Sequence, residues 1–125
     1  MKNVYPVFFT KTNEDILVEV PDFGILTEGK DMNDAMNMAR DAIELKCVSM
    51  EDDKEEIPTP SDLKELNPAN GTFAGDGETV VSFVDIDSTL YRKKIATKLV
   101  SRNIALTSWL NYAPAQEGIN VSRIL

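Results

Sequence analysis

Three aspartates, Asp22, Asp85 and Asp87, fall where the chain enters or leaves strand-forming runs. Carboxylates gathered at strand ends are the groups that hold Mg²⁺ for phosphodiester cleavage. The same places are ordinary ones for aspartate to meet backbone donors, because Asp22 follows a proline in a turn and Asp85-x-Asp87 closes a strand. The chain contains no histidine. That removes the commonest general base, the usual transition-metal ligand and every Ser-His or Cys-His nucleophile. The single cysteine, Cys47, excludes an intramolecular disulfide and a multi-cysteine zinc site, and it sits among small apolar residues as a packing group. Trp109 likewise reads as a packing anchor. No cofactor is implied.

Charge says more through its distribution than its sum. The 125 residues carry a net charge of −8. Residues 1–87 hold 7 basic and 20 acidic side chains, a balance of −13, whereas residues 88–125 hold 6 basic and 1 acidic, a balance of +5. An acidic body attracts a basic partner and repels nucleic acid, while a basic tail can approach phosphates. The length suits one core plus an appendage. No leader-like or membrane-spanning run is visible, so the expectation is a soluble cytoplasmic protein without membrane contact.

The elements that position these residues centre on 16–50. Ile16 to Val20 alternates as a strand, Pro21-Asp22-Phe23-Gly24 breaks it, and Ile25 to Glu28 resumes. An amphipathic helix follows, with Met32, Ala35, Met36, Ala39, Ala42, Ile43, Cys47 and Met50 on its apolar face and Asp34, Asn37, Arg40, Asp41 and Glu44 pointing away. Asp31 is placed to cap it by accepting from the Asp34 N–H. Before it, Val4 to Thr10 reads as a strand, with Pro6 favouring an edge position or a place near the strand start. Residues 51–79 form a long acidic loop rich in Pro, Gly and Asn, in which only Ser61 to Leu66 looks like a capped helical turn. Val80 to Ile86 returns as a strand whose apolarity on both sides predicts a central position. Ser88 can cap a bridging helix carrying Tyr91, Ile95 and Leu99 at i, i+4, i+8.

After that helix come a short alternating run, Val100 to Leu106, a helix starting near Thr107 or Ser108, and a glycine stop at Gly118. Strand, helix and helix start in so short a space is the pattern of a ribbon-helix-helix unit, in which two chains pair one strand each and insert the ribbon into the major groove. Ile104 and Leu106 would face the helices. Ser101, Asn103 and Ala105 would face base edges, with Arg102 and Lys98 on phosphates, and Asn103 has the strongest bidentate reading chemistry. The alternative is a further strand or a dimerisation arm. Pro114 should shorten or kink the first helix, and the second is left with only about one and a half turns before Leu125, so it reads as truncated.

Taken in order, YPVFF at Tyr5 to Phe9, VEVPDFGILTEG at Val18 to Gly29, the Ala-spaced helix from Asp31 to Ala42 and IPTPS at Ile57 to Ser61 resemble HicB-family antitoxins. The tail, SRNIALTSWLNYAPAQEGINVSRIL, looks like the ribbon-helix-helix of one branch of that family. The resemblance implies an N-terminal domain like a small, degraded RNase H fold that neutralises a HicA-type mRNA interferase, and a C-terminal unit that represses the operon.

The reading is therefore an α+β chain. Residues 1–87 form a toxin-binding domain, a small antiparallel sheet on one main helix, and residues 88–125 form a linker helix with a strand-helix(-helix) DNA-binding and dimerisation tail. The expected partners are a HicA-like toxin, operator DNA and further copies of the chain in a homodimer or larger homo-oligomer. The toxin is expected on Phe23, Ile25, Thr27 and Glu28 at one sheet edge and on Asp34 and Asp41 of the helix. The competing readings are a stand-alone nucleic-acid-binding regulator and a carboxylate-dependent RNase H-like nuclease.

Overall fold

A computed structural model describes residues 1–98. Four strands, β1 (Lys2–Lys11), β2 (Ile16–Val20), β3 (Ile25–Gly29) and β4 (Glu78–Asp87), form one antiparallel sheet in the order β3-β2-β1-β4. One long helix, α1 (Met32–Asp52), separates β3 from the excursion that leads to β4. This is the α+β architecture that the sequence predicts. The chain divides into two compact units, Met1–Thr89 and Leu90–Leu125, and residues 88–98 are helical. Among the described residues, no helix is long and apolar enough to cross a membrane.

Strand alternation assigns the two faces of the sheet. Tyr5, Val7 and Phe9 of β1, Ile16, Val18 and Val20 of β2, and Val84 and Ile86 of β4 form one buried cluster with Ala35, Ala39, Ile43 and Cys47 of α1. The helix contributes a row at i, i+4, i+8 and i+12 whose first two members are alanines, so its N-terminal half lies close on the sheet. Gly29 makes the closest approach, since a Cβ there would overlap the backbone N and Cα of Ala35. Asp31 caps α1, accepting from the Asp34 N–H at 2.8 Å, and the Asp34 carboxylate accepts from the Lys30 N–H at 2.8 Å. These reciprocal bonds satisfy donors that a helix start would otherwise leave unpaired.

The helix stripe is narrower than its hydrophobic pattern. Met32 is 38% exposed, whereas Glu44, expected to point to solvent, is 8% exposed and accepts the Asp87 N–H at 2.9 Å. An acceptor that meets a strand's backbone donor can be buried where an unpaired carboxylate could not.

The second face of the sheet is covered in part by the excursion, while Val4, Leu26 and Phe83 stay exposed there. The capped turn expected within Ser61 to Leu66 is the 3-10 turn Leu63–Glu65, capped by Asp62, and a second is Pro68–Asn70, capped by Asn67. Ser61 gives both its N–H (2.9 Å) and its hydroxyl to the Asp22 carboxylate. Thr72 does the same to Glu19, through its N–H and its hydroxyl at 2.8 Å each. Gly71 lies against the Phe8 ring, and the Tyr5 hydroxyl donates to the Pro58 carbonyl at 2.7 Å. The excursion is thus stapled to β2 and to the turn after it by two carboxylates.

Two strand expectations are corrected. β4 is an edge strand, not a central one; its second apolar side is met in part by the excursion and in part by nothing among the described residues. Pro6 lies in β1, a central strand, opposite Phe83. It is tolerated there because β2 pairs with β1 only alongside Phe8 to Lys11, so no strand flanks Pro6 on that side to miss a donor.

Candidate partner-binding face

The turn between β2 and β3 is set by Pro21 and by Gly24, whose φ of +64° suits glycine. The Phe23 N–H donates to the Val20 carbonyl at 3.2 Å. The Phe23 ring meets Tyr5 edge-on, with centroids 4.8 Å apart, and is partly buried. It therefore anchors the turn to the core more than it presents a ring to solvent. From there β3 runs along the open edge of the sheet, with Ile25 and Thr27 half-buried toward α1 and Leu26 (53% exposed) and Glu28 on the outer face.

The edge is apolar at one end and acidic at the other. Beside Ile25, a groove of about 440 Å³ runs between β3 and α1, lined also by Ala42, Leu45, Lys46 and Ser49, and Leu45 is 53% exposed. At the far end, a cleft of about 330 Å³ is lined by Glu14, Asp15, Glu28, Gly29, Lys30, Asp34 and Met38. Glu28 and Asp15 face each other closely enough that a shared hydrogen bond, and then mutual repulsion, push the Glu28 carboxyl above the ordinary glutamate range. A cation brought to this end relieves that repulsion.

The six residues expected to contact the toxin thus divide. Phe23, Ile25, Thr27 and Glu28 lie on the turn and edge strand; Asp34 is engaged in capping α1; and Asp41 is exposed on α1. Leu26, Leu45, Glu14 and Asp15 join this face without having been singled out in the sequence. Leu26 was legible as the alternate position of β3, but Leu45 lies off the helix stripe and had no local signal.

Lys98 is exposed in the 88–98 helix, while Ser101, Arg102, Asn103, Ala105, Trp109 and Pro114 lie outside the described residues. Asp22 is held by Ser61. Asp85 pairs with Arg40 at 2.9 Å, and that hydrogen bond holds its carboxyl below the usual aspartate range. The backbone of Asp87 is bound by Glu44. Among the described residues, no three Cys, Asp or Glu side chains are grouped to hold a metal. Burial pushes the Cys47 thiol up to about 11, with the Glu51 and Glu44 charges adding to the shift, so it is a protonated packing group near neutral pH.

A four-stranded antiparallel sheet crossed by one long helix, with β3 open along one edge, defines a small α+β domain. Residues 5–120 match the family model described as HicB_like antitoxin of bacterial toxin-antitoxin system, and the chain belongs to that family. A protein of Haemophilus phage HP1 (strain HP1c1), described as an uncharacterized 14.9 kDa protein in the rep-hol intergenic region, is 30% identical over 89 residues. That alignment covers 69% of this chain and 62% of the phage protein, so the chain spans less than two thirds of this relative's length. Two solved structures share the fold at 23% identity. One is a toxin–antitoxin complex from Streptococcus pneumoniae (TM-score 0.64, 73% of each chain), the other a HicA3 and HicB3 toxin–antitoxin complex (TM-score 0.52, 67% of this chain and 98% of that one).

Proposed function

We propose that this chain is a non-enzymatic, cytoplasmic antitoxin subunit that binds a small basic HicA-type mRNA interferase and neutralises it by occlusion. The observation that carries the reading is the β3 edge: open backbone groups and exposed Leu26 at its centre, an apolar groove at Ile25 and Leu45 on one side, and the Glu14, Asp15 and Glu28 carboxylates at the other end. A strand or loop of the toxin laid along β3 gains main-chain hydrogen bonds. The acidic end then covers cationic side chains that would otherwise hold mRNA phosphates, and the −13 balance of residues 1–87 steers the two proteins together. Domains are assigned as residues 1–87 for toxin binding and 88–125 for a ribbon-helix-helix tail. In the tail, Ser101, Asn103 and Ala105 read bases and Arg102 and Lys98 meet phosphates, so a dimer represses its own operon.

The test is co-expression of the chain with the small basic product of the adjacent reading frame. Growth rescue and co-purification are expected, and both should weaken on Leu26→Asp with Glu28→Lys. A pair that neither co-purifies nor rescues growth would refute the reading. Operator binding is tested separately by the salt dependence of DNA affinity, which Arg102→Ala should make shallower by roughly one phosphate contact.

A further inference from the structure

The opposite edge of the sheet differs in character. The Asp85 carbonyl accepts from Arg40 Nε at 3.1 Å and the Asp87 N–H donates to Glu44 Oε2 at 2.9 Å, so both groups point away from β1. Antiparallel alternation then turns the backbone groups of Thr79, Val81 and Phe83 to the same outer flank. Pro6 agrees with this phase: it faces Phe83 and has no N–H to give, as befits a pair that exchanges no hydrogen bond. Side chains of α1 therefore occupy the outer flank of β4 at Asp85 and Asp87. Among the described residues no hydrogen bond reaches the outer backbone groups of Val81 and Phe83. This open window, TVVSFV, carries no charge from Thr79 to Val84, and Val80 and Phe83 are 48% and 49% exposed. Edge strands of monomers are usually blunted by lysine, proline or a bulge, and none lies in it.

We infer that the Thr79–Phe83 edge of β4 pairs antiparallel with the same edge of a second copy of this chain, joining two sheets into one of eight strands. The occupant follows from charge and register. A basic partner has no carboxylate to meet between Thr79 and Val84, whereas the uncharged window is the place where an acidic unit can approach its own copy. Pairing about a two-fold at Val81 sets Val81 opposite Val81, Thr79 opposite Phe83 and Val80 opposite Ser82, with outer N–H and C=O groups in phase. It also sets Glu78 opposite Val84, so no like charges face each other. A slip that centres the two-fold on Ser82 would bring Thr79 opposite Asp85, whose carbonyl Arg40 already occupies. The inference is independent of toxin binding and is tested without a toxin.

The test is amide hydrogen exchange on the full chain alone. The Val81 and Phe83 amides should be protected, although neither is hydrogen-bonded to β1. Val81→Pro removes only an outward N–H and leaves the β1 ladder intact; it should return the Phe83 amide to loop-like exchange, at least tenfold faster than in the unsubstituted chain. Phe83→Lys, an edge-blocking substitution that removes no backbone donor, should do the same, with circular dichroism showing that both variants fold. Rapid exchange at Val81 and Phe83, or protection of the Phe83 amide that survives Val81→Pro, would overturn the inference; pairing through the tail holds the mass at a dimer or above in either case.

Discussion

The Asp22–Ser61 staple joins the turn that begins β3 to an excursion 39 residues further along. Ser61→Ala removes one hydroxyl bond to a carboxylate. Such charge-assisted bonds contribute about 1.5–3 kcal/mol when buried, and the partial burial here reduces the expected loss to about 1–2 kcal/mol. Asp22→Ala removes the acceptor of two donors and leaves the Ser61 N–H partly buried without its partner, so about 2–3 kcal/mol is expected. In the Asp22→Ala background, Ser61→Ala should cost almost nothing further, giving a coupling of about 1–2 kcal/mol in a double-mutant cycle. Urea unfolding at constant m measures all four corners. The Ser61 amide should also lose hydrogen-exchange protection in Asp22→Ala while amides of β1 keep theirs. Single losses below about 0.5 kcal/mol, or two losses that simply add, would show that the excursion is not held by this carboxylate.

Other expectations concern single sites. Gly29→Ala forces a Cβ into the backbone of Ala35 and should destabilise by about 3 kcal/mol or more, or prevent folding, as seen by thermal melting. Glu28 has a raised carboxyl because Asp15 faces it, so the folded state holds a proton more tightly than the unfolded one. Its contribution to stability therefore rises as pH falls through the raised value toward the ordinary glutamate range. Asp15→Asn should bring the Glu28 titration down by carboxyl NMR and remove that pH dependence; an unmoved titration would refute the pairing. Asp85 behaves oppositely, since Arg40 lowers it: its contribution is present above the ordinary aspartate value and lost as pH falls through the lowered one, and Arg40→Gln should move the titration up. Cys47 should resist thiol reagents at pH 8 in the folded protein and react promptly only in denaturant.

Much of the sheet was legible because its rules are local. Ile16, Val18 and Val20 alternate, the Pro21 to Gly24 break is turn chemistry, and Asp31 marks the start of α1. The corrections come from tertiary pairing. Glu44 looks solvent-facing until the Asp87 N–H arrives as its donor, and Met32 looks buried although it stays exposed at the start of α1. β4 reads as central because apolar residues on both faces do not say which neighbour covers them; Phe8 and the excursion cover part, and Phe83 stays open. The staples at Asp22–Ser61 and Glu19–Thr72 link residues 39 and 53 apart, a separation at which no periodicity speaks. At the candidate face, the β3 residues followed from alternation, whereas Leu45 and the Asp15–Glu28 pair needed the fold.

The central claim, that an acidic sheet edge masks a basic toxin, is tested most directly by stopped-flow association of the chain with the basic product of its neighbouring frame across a series of salt concentrations. An association rate that falls steeply with salt, and drops at least tenfold at low salt in an Asp15→Lys, Glu28→Lys variant whose fold is intact, is the expected result. A salt-independent rate that the charge reversals leave unchanged would contradict it.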